Sequence, residues 1–198
     1  MKFNKDKFKD ALVYIISKLE SNVSVGKTVL CKILYFSDFN YYELFEKSIT
    51  NESYQKYEHG PFPIHFEEII NELIKEGTLS IKEEPYFNRS ICRYKLNKKI
   101  EISHLTTKEI NFINQLISDF KTKNLLSANA ISDYSHGDMP WKIAKDNEIL
   151  DYESVFYRDP EYALRTYDDC EDYNGFLEEM QVIIDNVSTG DLKDFEEF

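Results

Sequence analysis

One helix in this chain cannot stand at the surface on its own. From Val25-Gly26-Lys27-Thr28 onward, Leu30, Ile33, Leu34, Tyr41, Leu44 and Phe45 form one apolar stripe, and Tyr35, Phe39 and Tyr42 form a second. A helix apolar on two sides is either enclosed by the rest of the chain or keeps its second side for a partner. Central burial is the simpler reading, so the other elements must be arranged around it. The chain has 198 residues, 42% of them hydrophobic, which is enough for one domain with a sizeable core. Gly26-Lys27-Thr28 matches the end of a phosphate-binding loop only superficially. Position 21 is Ser21 where glycine is required, and no strand precedes it.

The remaining elements follow from spacing and caps. Asn4 can cap a first helix with Phe8, Leu12, Ile15, Ile16 and Leu19 on one face. After the polar run Ser48–Ser53, Tyr54–Glu58 reads as a short strand or extended edge. His59-Gly60-Pro61-Phe62-Pro63 then reads as a turn, with Pro63 placed to open a third helix. That helix carries Phe62, Phe66, Ile69, Ile70, Leu73 and Ile74 and stops at Gly77. Leu79 and Ile81, a long acidic tip over residues 83–89, and a strand from Ser90 to Leu96 make a β-hairpin. Thr106-x-x-Glu109 is a capping box, and Ser127 caps a short helix that ends at Gly137. Asp138 can cap one more turn holding Pro140, Trp141 and Ile143. Beyond Asp146 the order weakens, while Tyr152, Phe156, Tyr157, Tyr162 and Leu164 can still pack. From Asp168 on, acids face a single base, Lys193, and Phe176 to Val187 have the spacing of an acidic amphipathic helix before a frayed end.

The expected fold is therefore α+β and mainly helical: helices around a small β-hairpin, winged-helix-like in part, with an acidic C-terminal extension. A winged helix that reads DNA would carry bases on its third helix and wing. Here Glu67, Glu68, Glu72 and Glu76 outnumber Lys75, and Glu83 and Glu84 offset Arg89, Arg93 and Lys95. A formal charge of −12 also disfavours general nucleic-acid binding and suits a basic partner. Cys31, Cys92 and Cys170 are widely spaced, without metal-ligand spacing, and read as reduced thiols of a cytoplasmic protein. The start leads straight into a helix with no signal peptide, and no apolar run could cross a membrane.

Chemistry-bearing residues are sparse. Ser135, His136 and Asp138 supply the residue types of a nucleophilic triad, but neighbours on a helix point in different directions. His59, His65 and His136 show no metal-binding spacing. No catalytic residue, metal or cofactor is assigned. Helix end, glycine, cap, proline and tryptophan over Ser135–Ala144 read as a corner that buries a large ring. Trp141 is expected to be largely buried, fixing the C-terminal helices against the Leu30–Phe45 helix.

Four stretches then carry a resemblance. Leu30-Cys31-Lys32-Ile33-Leu34-Tyr35-Phe36-Ser37-Asp38 resembles the K-L-L-Y-F-A-D helix of the SocA-like antitoxins, also called the Panacea domain. Ile49–Tyr54 resembles the segment that follows it. His59-Gly60-Pro61-Phe62-Pro63 is similar to the family's Y-G-P-V-P turn, with His59 where an aromatic is common. Ser135-His136 and Pro140-Trp141 resemble its S-H … P-W element. The resemblance spans roughly Lys7 to Lys145.

It implies an antitoxin that binds and neutralises a toxin encoded nearby, in settings such as phage defence, and it implies no catalytic residues. One branch of the family resembles a proteolytic adaptor, which would make an ATP-dependent protease a second partner. A DNA-binding regulator of its own operon is the remaining alternative. On this reading the domain covers residues 1–147, and residues 148–198 are an acidic extension packed on it or projecting from it. Tyr35, Phe39, Tyr42, Tyr57, His59, Phe62, His136 and Asp138 are the expected partner-binding residues. Gly60, Pro61, Pro63, Pro140 and Trp141 are the expected structural motif.

Overall fold

A computed structural model describes residues 2–19, 25–86, 89–98 and 101–165. The expected acidic helix over 174–187, the end beyond Gly190 and Cys170 lie outside these residues. Met1–Leu164 forms a compact unit of its own. Its architecture is α+β and mainly helical. Among the described residues no helix is long and apolar enough to cross a membrane.

Helix α2 (Lys27–Phe45) is the axis of the unit, and almost every side chain from Val29 to Leu44 is buried. It is packed on by α1 (Lys5–Leu19), α4 (Thr107–Thr122), α5 (Ala128–His136), strand β2 (Gly60–Pro63) and a 3-10 turn (Tyr152–Tyr157). Both apolar stripes are thus enclosed by the chain itself. Asn4 caps α1 as expected, its Oδ1 accepting from Lys7 N–H at 3.1 Å. Phe8, Leu12, Ile15, Ile16 and Leu19 all enter the core. Across α1, Lys5 and Lys9 pair with Glu68 and Glu72 on α3 (Phe66–Lys75) and with Glu76 at its C-terminal cap. Such exposed pairs set orientation more than stability.

Both hairpins differ from the sequence expectation. Gly60–Pro63 is not a turn that opens a helix but a strand, β2, paired antiparallel with β1 (Tyr54–Tyr57) in the register Tyr54↔Pro63 to Tyr57↔Gly60. The reversal lies at Glu58 and His59, and α3 starts at Phe66 behind His65. Prolines are tolerated in an edge strand because no N–H is needed there. Phe62, expected on the helical stripe, reaches Phe66 from the strand at a ring separation of 5.9 Å. The second hairpin, β3 (Leu79–Tyr86) with β4 (Arg89–Leu96), is longer than expected, because the acidic stretch pairs: Glu83 lies opposite Cys92 and Glu84 opposite Ile91. Lys82 and Arg93 flank Glu84 and make that pairing tolerable.

Caps were the most legible features. Thr106 and Glu109 form the reciprocal capping box of α4. Ser127 accepts from Ala130 N–H, and α5 ends at Gly137. Gly77, at φ 68°, closes α3, with Gly77 N–H on Ile74 O and Thr78 N–H on Leu73 O. A five-residue helix, α6 (Met139–Ile143), follows Asp138.

Order does not weaken at Asp146. Residues 147–150 run along the free edge of β1, through Asn147 N–H to Lys56 O, Lys56 N–H to Glu148 O and Leu150 N–H to Tyr54 O. Leu150, Val155 and Arg158 are buried. Backbone pairing holds this segment, so its side chains carry no periodic signal.

Candidate functional site

The stretches singled out by the sequence meet along α2, from Lys32 to Glu43. Lys32 is almost wholly buried and donates from Nζ to Pro61 O at 2.8 Å. Beside it the backbone passes at Gly60 with φ 90°. A Cβ there would lie 2.3 Å from Ser135 Oγ and 2.6 Å from Lys32 Cε. Only glycine fits, on both backbone and contact grounds. Ser135 donates to Ser132 O at 2.7 Å, and Ser132 donates to His59 O at 3.0 Å. The Lys32 helix, the Gly60-Pro61 hairpin and the Ser135 helix are thereby one packed joint. Burial lowers the Lys32 amine from 10.5 to about 8.

A second centre adjoins it. Asp138 sits at the N-terminal cap position of α6, yet its carboxylate does not cap the helix. It is fully buried and accepts from Arg158 Nε at 2.8 Å, Arg158 Nη2 at 2.6 Å and the Tyr35 hydroxyl at 2.8 Å. Arg158 Nη1 also donates to Asn40 Oδ1 at 2.8 Å and Glu43 Oε2 at 2.7 Å. Glu43 Oε1 accepts from Leu164 N–H at 2.7 Å. Burial works against the Arg158 charge, and Asp138 more than offsets it, so its pKa is raised. The Tyr35 hydroxyl is pushed well above its ordinary range by burial and by Asp138. Arg158 was missed in the sequence, because it lies in an aperiodic segment and its acceptors come from α2 and the start of α6.

A third group ties α2 to β1. Asp38 accepts from Thr50 N–H at 2.8 Å, Thr50 Oγ1 at 2.5 Å and the Tyr54 hydroxyl at 2.8 Å. Burial raises its carboxyl to about 6, against the pull of those bonds. Glu52, buried next to it, meets His65 Nδ1 at 2.9 Å and is raised by burial.

Trp141 is half-buried, and the contacts of its ring are with α5 and β1. Its ring stacks on His136 at 4.3 Å, Lys56 Nζ lies 4.1 Å from its centroid, and Nε1–H donates to Tyr57 O at 3.2 Å. It fixes α6 to β1, while Asp138 makes the link to α2 through Tyr35. An indole with one N–H is suited to such a margin, one edge apolar and the other in reach of a carbonyl.

The expected partner-binding residues therefore divide. Tyr35, Phe39 and Asp138 are fully buried; Phe39 is stacked under Tyr152 at 4.1 Å. These three are interior residues, because residues 150–158 cover the side of α2 that the sequence left open. Tyr42, Phe62 and His136 are half-buried, and Tyr57 and His59 are exposed. Pro61, Pro63 and Pro140 are buried. Ser135, His136 and Asp138 do not converge: the serine bonds Ser132, the imidazole stacks on Trp141, and the carboxylate is taken by Arg158 and Tyr35. Burial and nearby Lys32 lower the His136 pKa. Among the described residues no group of three or more His, Cys, Asp and Glu is placed to hold a metal. Cys31 is buried and pushed up to about 12 by that burial; Cys92 is exposed.

A family model described as antitoxin SocA-like, Panacea domain, matches residues 30–142, more than half of the chain. The match begins inside α2 and ends one residue past Trp141, so it takes in all four quoted stretches. No curated protein and no solved structure matches.

Proposed function

Because the chain belongs to the SocA-like antitoxin family, Panacea domain, we propose that it neutralises a cognate toxin in the cytoplasm by direct protein–protein binding. The observation that carries this reading is the family match across α2, both hairpins and the Trp141 corner. The buried polar groups of the site support it. Lys32, Asp38, Asp138 and Arg158 bond one another's segments rather than a cavity, so the centre is a scaffold and recognition falls to the surface. The charge of −12 favours fast encounter with a basic partner. On this reading the protein is a binding protein rather than an enzyme, and the acidic region after the matched domain adds to the attraction.

Expression of the adjacent gene alone and with this protein tests the reading. Growth arrest by the adjacent product, relieved when the two are co-expressed and co-purify, is the expected result. An adjacent product that is harmless alone and does not associate would sink it.

A further inference from the structure

A narrow cleft lies beside the third of these groups. Tyr42 on α2 and Tyr152 on the 3-10 turn line it, their ring centroids 5.2 Å apart. Asp151 and Glu153 enter from the start of that turn, and Glu52 from the connection into β1. Ile149, 48% exposed, also lines it. No Lys, Arg or His is among the lining residues. Asp151 Oδ1 accepts from Glu153 N–H at 3.1 Å, and neither carboxylate forms an ion pair among the described residues. Burial, Glu153, Asp151 and Glu46 together raise the Tyr42 hydroxyl, which places those three charges within electrostatic reach of that ring.

A separate source of negative potential lies behind the Tyr152 wall. Asp38 is fully buried, is raised by burial to about 6 and so is ionised at pH 7; its bonds are to Thr50 and the Tyr54 hydroxyl, none of them a cation. Glu52 is buried as well and faces the His65 imidazole. Both carboxylates, after burial itself, push up the Tyr152 hydroxyl, which donates to Glu52 O at 2.8 Å. Buried charge behind a low-dielectric wall is screened little, and a cleft of one sign focuses its field.

Size and geometry narrow the occupant. The cleft holds about 210 Å³, below the roughly 300–1,000 Å³ of sites that enclose a small-molecule ligand. Among the described residues no three His, Cys, Asp or Glu side chains converge to hold a metal ion, so these carboxylates surround a space rather than a point. A planar guanidinium suits that arrangement. It stacks on tyrosine faces and spreads its donors toward acceptors that are apart.

We propose that this cleft receives an arginine side chain of the cognate toxin, laid against Tyr42 and Tyr152 and facing Asp151 and Glu153. The assignment rests on the antitoxin reading above and locates the attraction between the acidic chain and a basic partner. Arginine and tyrosine are the residue types that carry interface energy most often, and the surrounding charge supplies rate and selection.

The test uses the full chain and the product of the adjacent gene in titration calorimetry and growth rescue. Asp151→Asn/Glu153→Gln keeps the shape of the cleft and a capping side chain. It is expected to weaken binding by on the order of tenfold and to flatten the dependence on salt, with thermal unfolding like wild type. Glu153→Lys, which sets an ammonium in the cleft, should weaken binding further and lose rescue. Glu101→Gln/Asp133→Asn removes the same charge from exposed positions outside the cleft and should bind as wild type. One arginine-to-alanine change in the toxin is expected to be less than additive with Glu153→Gln. Wild-type affinity in both cleft variants would overturn the proposal while leaving the antitoxin reading intact. So would an equal loss in the control, since net charge alone would then carry the attraction, or an arginine scan in which every change is additive. Failure of wild type itself to bind would reject the antitoxin reading, and the cleft assignment with it.

Discussion

Arg158 lays Nε and Nη2 against the two carboxylate oxygens of Asp138, at 2.8 and 2.6 Å, twenty residues apart in sequence and both shut off from water. The third nitrogen reaches Glu43 and Asn40 on α2. One side chain thus joins α2, the start of α6 and the end of the 3-10 turn. Two carboxylates and one guanidinium in a dry site are tolerable only because every group is bonded.

Removing the cation should therefore be severe. Arg158→Met is expected to cost about 3–5 kcal/mol in urea unfolding, because Asp138 and Glu43 are left buried without a counter-charge. Asp138→Asn added to it should cost less than the sum of the single changes, since the two residues share one interaction. Additive losses would show that the pair is not coupled.

Gly60→Ala should destabilise by about 3 kcal/mol, combining left-handed strain with overpacking. Its φ is 90°, and Ser135 Oγ lies 2.3 Å from the added carbon. Ser135→Ala in the same chain should recover only the contact part. Full recovery would mean that the backbone angle carries no cost.

Lys32 bears on alkaline stability. Its amine is lowered from 10.5 to about 8 by burial. Below about pH 8 the full burial cost is present; from there to about 10.5 the folded chain releases the proton first, so stability rises with pH. That displacement corresponds to about 3 kcal/mol, against about 1–3 kcal/mol for leaving Pro61 O without a donor. Lys32→Met should thus be neutral to slightly more stable at pH 7 and less stable than wild type above pH 10.5. A large loss at pH 7 would show that the ammonium stabilises the fold.

Asp38 predicts the opposite end of the scale. Its carboxyl is raised from 3.8 to about 6. The folded chain holds this proton longer than the unfolded one, so the contribution is most favourable below about pH 4. It is lost as pH rises through 6, by up to about 3 kcal/mol. The stability of wild type minus that of Asp38→Asn should fall over that range. A difference that grows with pH would mean that the Thr50 and Tyr54 bonds favour the charged form overall.

The limits of the fold can be tested by truncation. A chain stopped after Asp146 loses Leu150, Tyr152, Val155 and Arg158, and should lose cooperative unfolding by circular dichroism. A chain stopped after Arg165 should keep it, because Met1–Leu164 is compact in its own right. Equal behaviour of the two would place residues 147–165 outside the folding unit.

The sequence by itself determined the elements whose signals are local. The periodicity of Phe8 to Leu19 and Ile69 to Leu73, the Thr106–Glu109 box, the Ser127 cap and the stops at Gly77 and Gly137 each depend on residues within a turn or two. It also showed that α2 must be covered on two sides. Only the tertiary structure decided what covers it. The aromatics Tyr35 and Phe39 look the same in sequence whether a partner or Tyr152 and Arg158 lies over them. Gly60–Pro63 has the composition of a turn, and pairing with β1 makes it a strand. Asp138 has the position of a cap, and a guanidinium twenty residues away draws its carboxylate inward. Caps and stripes are short-range; strand pairing and the neutralisation of buried charge are made between distant segments, and no window along the chain contains both partners.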